Sequence, residues 1–197
     1  NAIIKECNQT KTEAWLGGAA VLDKVKTIGK QYKEQYENIE GICISTAGMV
    51  DPEEGKIVFA GELMPGYTGT CIKKELEKAL EMPCEVENDV NCAGLAEYVS
   101  GSAKESHIMF CATVGTGIGG CAIVNGRVFH GASNSACEVG YIPMGDSDFQ
   151  TLGASSILVR KVAEKKIEPL DMWDGKKIFE LAEKGDEVCI SAIKEMC

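Results

Sequence analysis

Two stretches of the chain carry residue types suited to chemistry. Glu87-Asn88-Asp89-Val90-Asn91 follows a short strand-like run over 84–86 and opens a helix rich in small residues. It sets the Asp89 carboxylate at a strand end, positioned to take a proton. Thr113-Val114-Gly115-Thr116-Gly117-Ile118-Gly119-Gly120 is a glycine-rich turn between two apolar runs. Glycine has no Cβ, so an anion can approach the backbone N–H groups of such a turn closely. A base opposite a phosphate cradle is what phosphoryl transfer to a hydroxyl needs. Each feature also has a plainer reading. Asp and Asn are favoured helix N-caps, and a cap can hold a base in place. The glycines alone read as a hairpin supplying positive φ, but Thr113 and Thr116 add hydroxyls that a plain hairpin does not require.

The elements that must position these residues alternate strand and helix in the first half. Spacing predicts an amphipathic helix over 15–36, its start weakened by Gly17 and Gly18. Ile42-Cys43-Ile44-Ser45 reads as a buried strand that runs into a tight loop at Thr46-Ala47-Gly48. A turn over 51–55 leads to a short strand over 56–59. Thr70 is the expected cap of a helix with Ile72, Leu76, Ala79 and Leu80 on one face, halted by Met82-Pro83. A strand over 84–87 and a small-residue helix over 91–99 follow. Residues 100–104 read as the domain boundary, giving partial α/β domains over 1–102, with Asp89, and 103–197, with the glycine loop.

The second half opens with an antiparallel unit, strands over 107–113 and 118–124, and Asn125-Gly126 is the strongest hairpin signal in the chain. A helix is expected over 155–165. Asp174 and Asp186 are expected to cap the last two helices. Residues 2–6 read as the end of a strand with nothing before it, and no initiator Met opens the chain, so a fragment of a longer protein is expected.

A length of 197 residues suits one large domain or two small ones, and 45% apolar with 25% charged residues is ordinary for a soluble globular protein. The net charge of −10 argues against a nucleic-acid surface, though not against a nucleotide held by local N–H groups and a metal ion. No apolar run approaches the length of a membrane span and no secretory signal is evident, so a cytoplasmic protein is expected. None of the ten cysteines forms a C-x-x-C pair, and Cys43, Cys111 and Cys121 sit inside apolar runs. They read as small hydrophobes in a reducing compartment rather than as disulfides or zinc ligands.

Taken together, the two motifs, the Asn125-Gly126 hairpin and Glu138-Val139-Gly140-Tyr141 resemble the ROK family of sugar kinases and sugar-responsive repressors. Ser45-Thr46-Ala47-Gly48-Met49-Val50-Asp51 is similar to the family's loop under the sugar, and the likeness runs from about residue 39 to the end. The resemblance implies an actin-like (ribonuclease H-like) ATPase fold, two α/β domains with a cleft between them, incomplete here at both termini. It implies Asp89 as general base. It puts Gly48, Asn88, Glu138 and Tyr141 against a hexose or glucoside, and Thr113, Gly115, Thr116 and Gly117 against the ATP phosphates with Mg²⁺. The implied activity is ATP-dependent phosphorylation of a sugar hydroxyl by a homodimer, with neither nucleic acid nor membrane as partner.

Three departures from the family pattern shape these expectations. No Asp-x-Gly-Gly-Thr phosphate loop is present, and the strands that family members place beyond the position of Cys197 are missing, so the fragment alone is expected to be weak or inactive. Tyr141 stands where most members have His before a cysteine-rich zinc motif. Residues 142–151 contain neither Cys nor His, so no structural zinc is expected. The sugar stays open, with β-glucosides and N-acetylmannosamine both compatible. The alternative function is the sugar-sensing domain of a repressor, and a third reading is an actin-like ATPase that acts on no sugar. Retention of Asp89 favours a kinase, since a sensor needs no base. Glu138 also reads as a solvated loop residue, Tyr141 equally as a filler of the His space, and His107 and His130 as structural.

Overall fold

Apolar residues at helical spacing produce α1 (Gly18–Gln35), which follows a 3-10 turn at Ala14–Leu16. The structure, a computed structural model, describes residues 3–197. These divide into two compact units, the first ending at Asp89 and the second beginning at Val90.

In the first unit, β1 (Ile42–Thr46), the short antiparallel pair β2 (Met49–Asp51) and β3 (Lys56–Phe59), α2 (Ile72–Leu80) and β4 (Cys84–Asn88) follow α1. β1 and β4 are parallel, with Ile42 opposite Cys84 and Thr46 opposite Asn88. A parallel pair needs a crossover between its strands, and β2, β3 and α2 supply it. Val50, Ile57, Leu76, Leu80, Cys84 and Val86 form the core. Gly17 and Gly18, expected to weaken the helix, let the chain pass close to another segment. The Gly18 N–H donates to the Pro65 carbonyl at 2.9 Å, and a Cβ on Gly18 would lie 2.7 Å from the Tyr67 Cα.

Three local expectations are corrected in this unit. β1 is half-buried in alternation rather than buried throughout, because Ile42 and Ile44 pack on the core while Cys43 and Ser45 are exposed. Cys71, not Thr70, occupies the cap position of α2, and no side chain caps it. The Thr70 carbonyl instead accepts the Ile57 N–H, which ties it to β3. The expected strand over 2–6 begins outside the described residues, and 3–6 form no regular element.

The second unit begins within α3 (Asp89–Ser100), which leaves β4 without an intervening loop. An antiparallel sheet follows, β5 (Ile108–Val114), β6 (Ile118–Val124) and β7 (Arg127–Val128), with Val114 opposite Ile118 and Ile108 opposite Val124. Asn125 and Gly126 both have positive φ, 49° and 79°, as a tight two-residue hairpin turn requires. α3 lies on this sheet at a glycine. A Cβ on Gly94 would sit 2.5 Å from the Cys121 sulfur. The units therefore divide at 89/90, whereas the sequence placed the boundary at 102/103. Residues 100–104 have a linker's composition, but the helix before them packs with the sheet after them.

Beyond the sheet come β8 (Pro143–Met144) and β9 (Ser147–Asp148), an antiparallel ribbon, then α4 (Phe149–Gly153), α5 (Ser155–Lys166), α6 (Gly175–Glu183) and α7 (Glu187–Lys194). Leu158, Val162, Trp173, Ile178 and Cys189 form the helical core. Asp174 and Asp186 cap α6 and α7 as expected, accepting the Lys177 and Cys189 N–H groups. Among the described residues no helix is long and apolar enough to cross a membrane.

Candidate active site

The first unit gathers one set of the expected site residues. β4 ends at Asn88, and the chain turns directly into α3 at Asp89, so the exposed Asp89 carboxylate lies in the first helical turn. The helix N-terminus favours a negative charge there. The Asn88 side-chain amide donates to the Gly48 carbonyl at 2.9 Å. That bond fixes the loop after β1 to the strand that presents Asp89. Gly48 has φ 98°, and a Cβ there would lie 2.7 Å from the Phe59 carbonyl oxygen, so this position requires glycine on two counts. The Thr46 and Tyr67 hydroxyls lie 2.5 Å apart beneath the loop. Burial pushes the Tyr67 pKa up, and the hydrogen bond to Thr46 opposes that shift.

The second unit carries the glycine loop between β5 and β6. Gly115 and Thr116 are exposed and Gly117 is half-buried. None of Gly115, Gly117, Gly119 and Gly120 has positive φ, so the loop does not need glycine for its backbone angles. Three of the four are needed for packing. A Cβ would meet the Gln150 amide oxygen at 2.6 Å from Gly117, Val90 at 2.6 Å from Gly119, and the Cys137 carbonyl at 2.6 Å from Gly120. At Gly115 the nearest such atom is the Gly117 carbonyl oxygen at 3.9 Å, an ordinary contact that a Cβ would not strain. Thr113 lies deeper, its hydroxyl 3.3 Å from where a Gly119 Cβ would stand, next to Val90.

Two serines hold this loop, and sequence reading had placed them only at a helix start. The Ser155 N–H and hydroxyl donate to the Gly115 carbonyl at 2.8 and 2.5 Å, and the Ser156 hydroxyl donates to the Thr116 carbonyl at 2.7 Å. The loop's electronegative carbonyls are thus bonded to the first turn of α5. The Gly115 N–H is itself engaged, donating to the Gly117 carbonyl at 2.8 Å. The signal available in the sequence was Ser155-Ser156 directly after Gly153-Ala154, donors at the exposed end of a helix.

Beside them Thr116, Ser156, Val159, Trp173 and Asp174 line a cleft of about 660 Å³, within the range of small-molecule sites. The Trp173 indole N–H is buried without a partner. The Lys166 and Lys177 ammonium groups lie 5.4 and 4.4 Å from its ring centroid.

Glu138 is half-buried just before the 3-10 turn Val139–Tyr141, and Tyr141 is exposed at its end. Their loop is pressed onto the start of β6, where a Cβ on Gly140 would stand 2.4 Å from the Ile118 carbonyl oxygen. His107 is exposed, and its carbonyl accepts the Asn125 N–H. The half-buried His130 has its carbonyl bonded to the Ala136 N–H. The second unit thus brings Gly115–Gly117 and the Glu138–Tyr141 turn to one end of β6. The first unit brings Gly48, Asn88 and Asp89 to one end of β4.

Comparison with known proteins identifies the family. The ROK family pattern matches residues 4–197. An uncharacterised protein of Clostridium perfringens is 46% identical over 192 residues, 97% of this chain and 64% of that protein. The β-glucoside kinase of Klebsiella pneumoniae is 33% identical over 168 residues, 81% of this chain and 56% of that enzyme. A solved Listeria monocytogenes protein, described as a candidate N-acetylmannosamine kinase, superposes with a TM-score of 0.78 at 30% identity, over 88% of this chain and 62% of that one. The chain spans about three-fifths of the length of the curated relatives it matches.

Proposed function

This chain belongs to the ROK family and has its actin-like ATPase fold, and on that premise we propose that the complete protein is an ATP-dependent kinase for a hexose or glucoside. The observation that carries the reading is Gly115. It is exposed, its φ lies in the ordinary range, and the place of its missing Cβ would meet only the Gly117 carbonyl oxygen, at an ordinary contact distance of 3.9 Å. Neither backbone strain nor internal packing calls for glycine there, whereas a phosphate lying against the loop would. Thr116 adds a hydroxyl next to it, and the adjoining cleft has room for the rest of a nucleotide.

In this reading Asp89 takes the proton of the attacking sugar hydroxyl, and its place at a strand–helix junction limits how far the carboxylate can wander. Asn88 acts through the loop, holding the Gly48 carbonyl under the sugar. Glu138 and Tyr141 supply further contacts to sugar hydroxyls from the end of β6. Phosphoryl transfer asks for position and charge stabilisation more than covalent chemistry, which suits a site built from backbone and a single base. Magnesium would be carried mainly by phosphate oxygens and water rather than by a protein cage. Among the described residues no group of three or more His, Cys, Asp or Glu side chains could hold a metal ion.

The test is ATP turnover by the complete protein across a panel of glucose, β-glucosides and N-acetylmannosamine, with Asp89→Asn as the variant. The expected result is one strongly preferred sugar and a kcat reduced by a factor on the order of 10² or more in the variant, with sugar affinity kept within a few-fold. Undiminished turnover in Asp89→Asn would remove the base from the mechanism. Failure of every sugar to stimulate turnover would remove the kinase reading itself.

A further inference from the structure

We propose that Gln150 is a positioning residue that sets the phosphate loop and the Glu138–Tyr141 turn against each other through one side-chain amide; the proposal rests on the kinase reading for what those two loops bind. The Gly115 N–H donates to the Gly117 carbonyl, so Gly115 and Gly117 are a hydrogen-bonded pair across the hairpin. In an antiparallel ladder the next residue, Ile118, then turns its own N–H and C=O away from β5. Both groups are met from outside. The Gln150 amide oxygen accepts the Ile118 N–H at 3.1 Å. The Ile118 carbonyl is overlain by Gly140, whose absent Cβ would stand 2.4 Å from it.

The same side chain bonds Ile118 and occupies the space that side chains at 117 and 140 would need. Its oxygen lies 2.6 Å from the place of a Gly117 Cβ, and its oxygen and Cβ each lie 3.3 Å from the place of a Gly140 Cβ. Gln150 therefore fills the space between the exit of the phosphate loop and the turn that carries Glu138 and Tyr141. Its own backbone is fixed, since its carbonyl accepts the Ala154 N–H just ahead of Ser155. Ser155 in turn grips Gly115. Glycine at 117 and 140 leaves room for this amide, and a larger residue at either position would push it out. The Asp148 carboxylate, which caps α4 through the Thr151 N–H at 2.7 Å, steadies the short helix from which Gln150 projects.

Two variants of the complete protein test this, Gln150→Leu, which removes the acceptor and keeps the bulk, and Gln150→Glu, which keeps an acceptor oxygen. Backbone hydrogen exchange without ligand should quicken in Gln150→Leu at both 115–120 and 138–142 and stay native in Gln150→Glu. In steady-state kinetics Gln150→Leu should raise the KM for nucleotide and for sugar together, each about fivefold, with kcat changed less than about twofold. Faster exchange in one loop only, equal exchange in the two variants, or one KM moving alone would overturn the proposal. The exchange result stands whether or not the wild-type protein phosphorylates a sugar, so failure of the kinase reading and failure of this one are separable.

Discussion

Gly48 and Gly115 are both glycines in loops of the candidate site, and the structure gives opposite reasons for them. Gly48 has φ 98° and the Phe59 carbonyl oxygen 2.7 Å from the place of its Cβ. Gly48→Ala should lower stability by about 1–3 kcal/mol, read in a denaturant melt, because alanine meets both the strained angle and the carbonyl. Gly115 has an ordinary φ and no neighbour closer than an ordinary contact to the place of its Cβ. Gly115→Ala should leave stability within about 0.5 kcal/mol of native and still raise the KM for ATP at least about tenfold, since the added methyl stands where a phosphate would lie. Unchanged nucleotide affinity in Gly115→Ala would take away the principal support for a phosphate loop at this place. The glycine-rich turn was legible in the sequence, but its division of labour was not. Gly117, Gly119 and Gly120 answer to Gln150, Val90 and Cys137, residues brought near by tertiary packing rather than by local pattern.

Among the elements, the helices with a clear apolar face and an acidic cap were the most legible. Asp174 and Asp186 cap as the sequence implied because their side chains have only to reach the backbone three residues ahead. The α2 cap was misread because Thr70 is held by β3, a partner no local rule reveals. Asp186 also pairs with Lys166 at 2.6 Å, and that contact, followed by the Cys189 N–H, holds its carboxyl down to about 2. A carboxyl whose folded pKa lies below its unfolded value near 4 stabilises the fold above that value and stops doing so as pH falls through the folded one. The contribution of Asp186 should therefore be intact above about pH 4 and disappear between about 4 and 2. Thermal melts over that range should show a shallower loss of stability in Asp186→Asn than in the native chain. Parallel slopes would mean that the carboxylate is not the group that titrates.

Over the whole molecule, the chain groups into two compact units that divide at 89/90, away from the 100–104 stretch that composition marks out. Ser100-Gly101-Ser102 looks like a hinge by composition, yet α3 buries Gly94 against Cys121 and so packs with the sheet that follows. The first unit has its own core around Leu76, 0% exposed, and the second has one around Leu158, 1% exposed. Leu76→Ala and Leu158→Ala should each cost about 2–5 kcal/mol, the lost transfer energy plus a residual cavity. Because the two leucines belong to separate clusters, hydrogen exchange in Leu76→Ala should quicken across 42–88, including the Gly48–Asn88 bond, and leave 108–124 protected. Leu158→Ala should free the grip of Ser155 and Ser156 on Gly115 and Thr116 and spare 42–88. The double variant should then lose the sum of the two costs to within about 0.5 kcal/mol. A coupling well beyond that margin would mean that the unit with Asp89 and the unit with the glycine-rich loop fold as one.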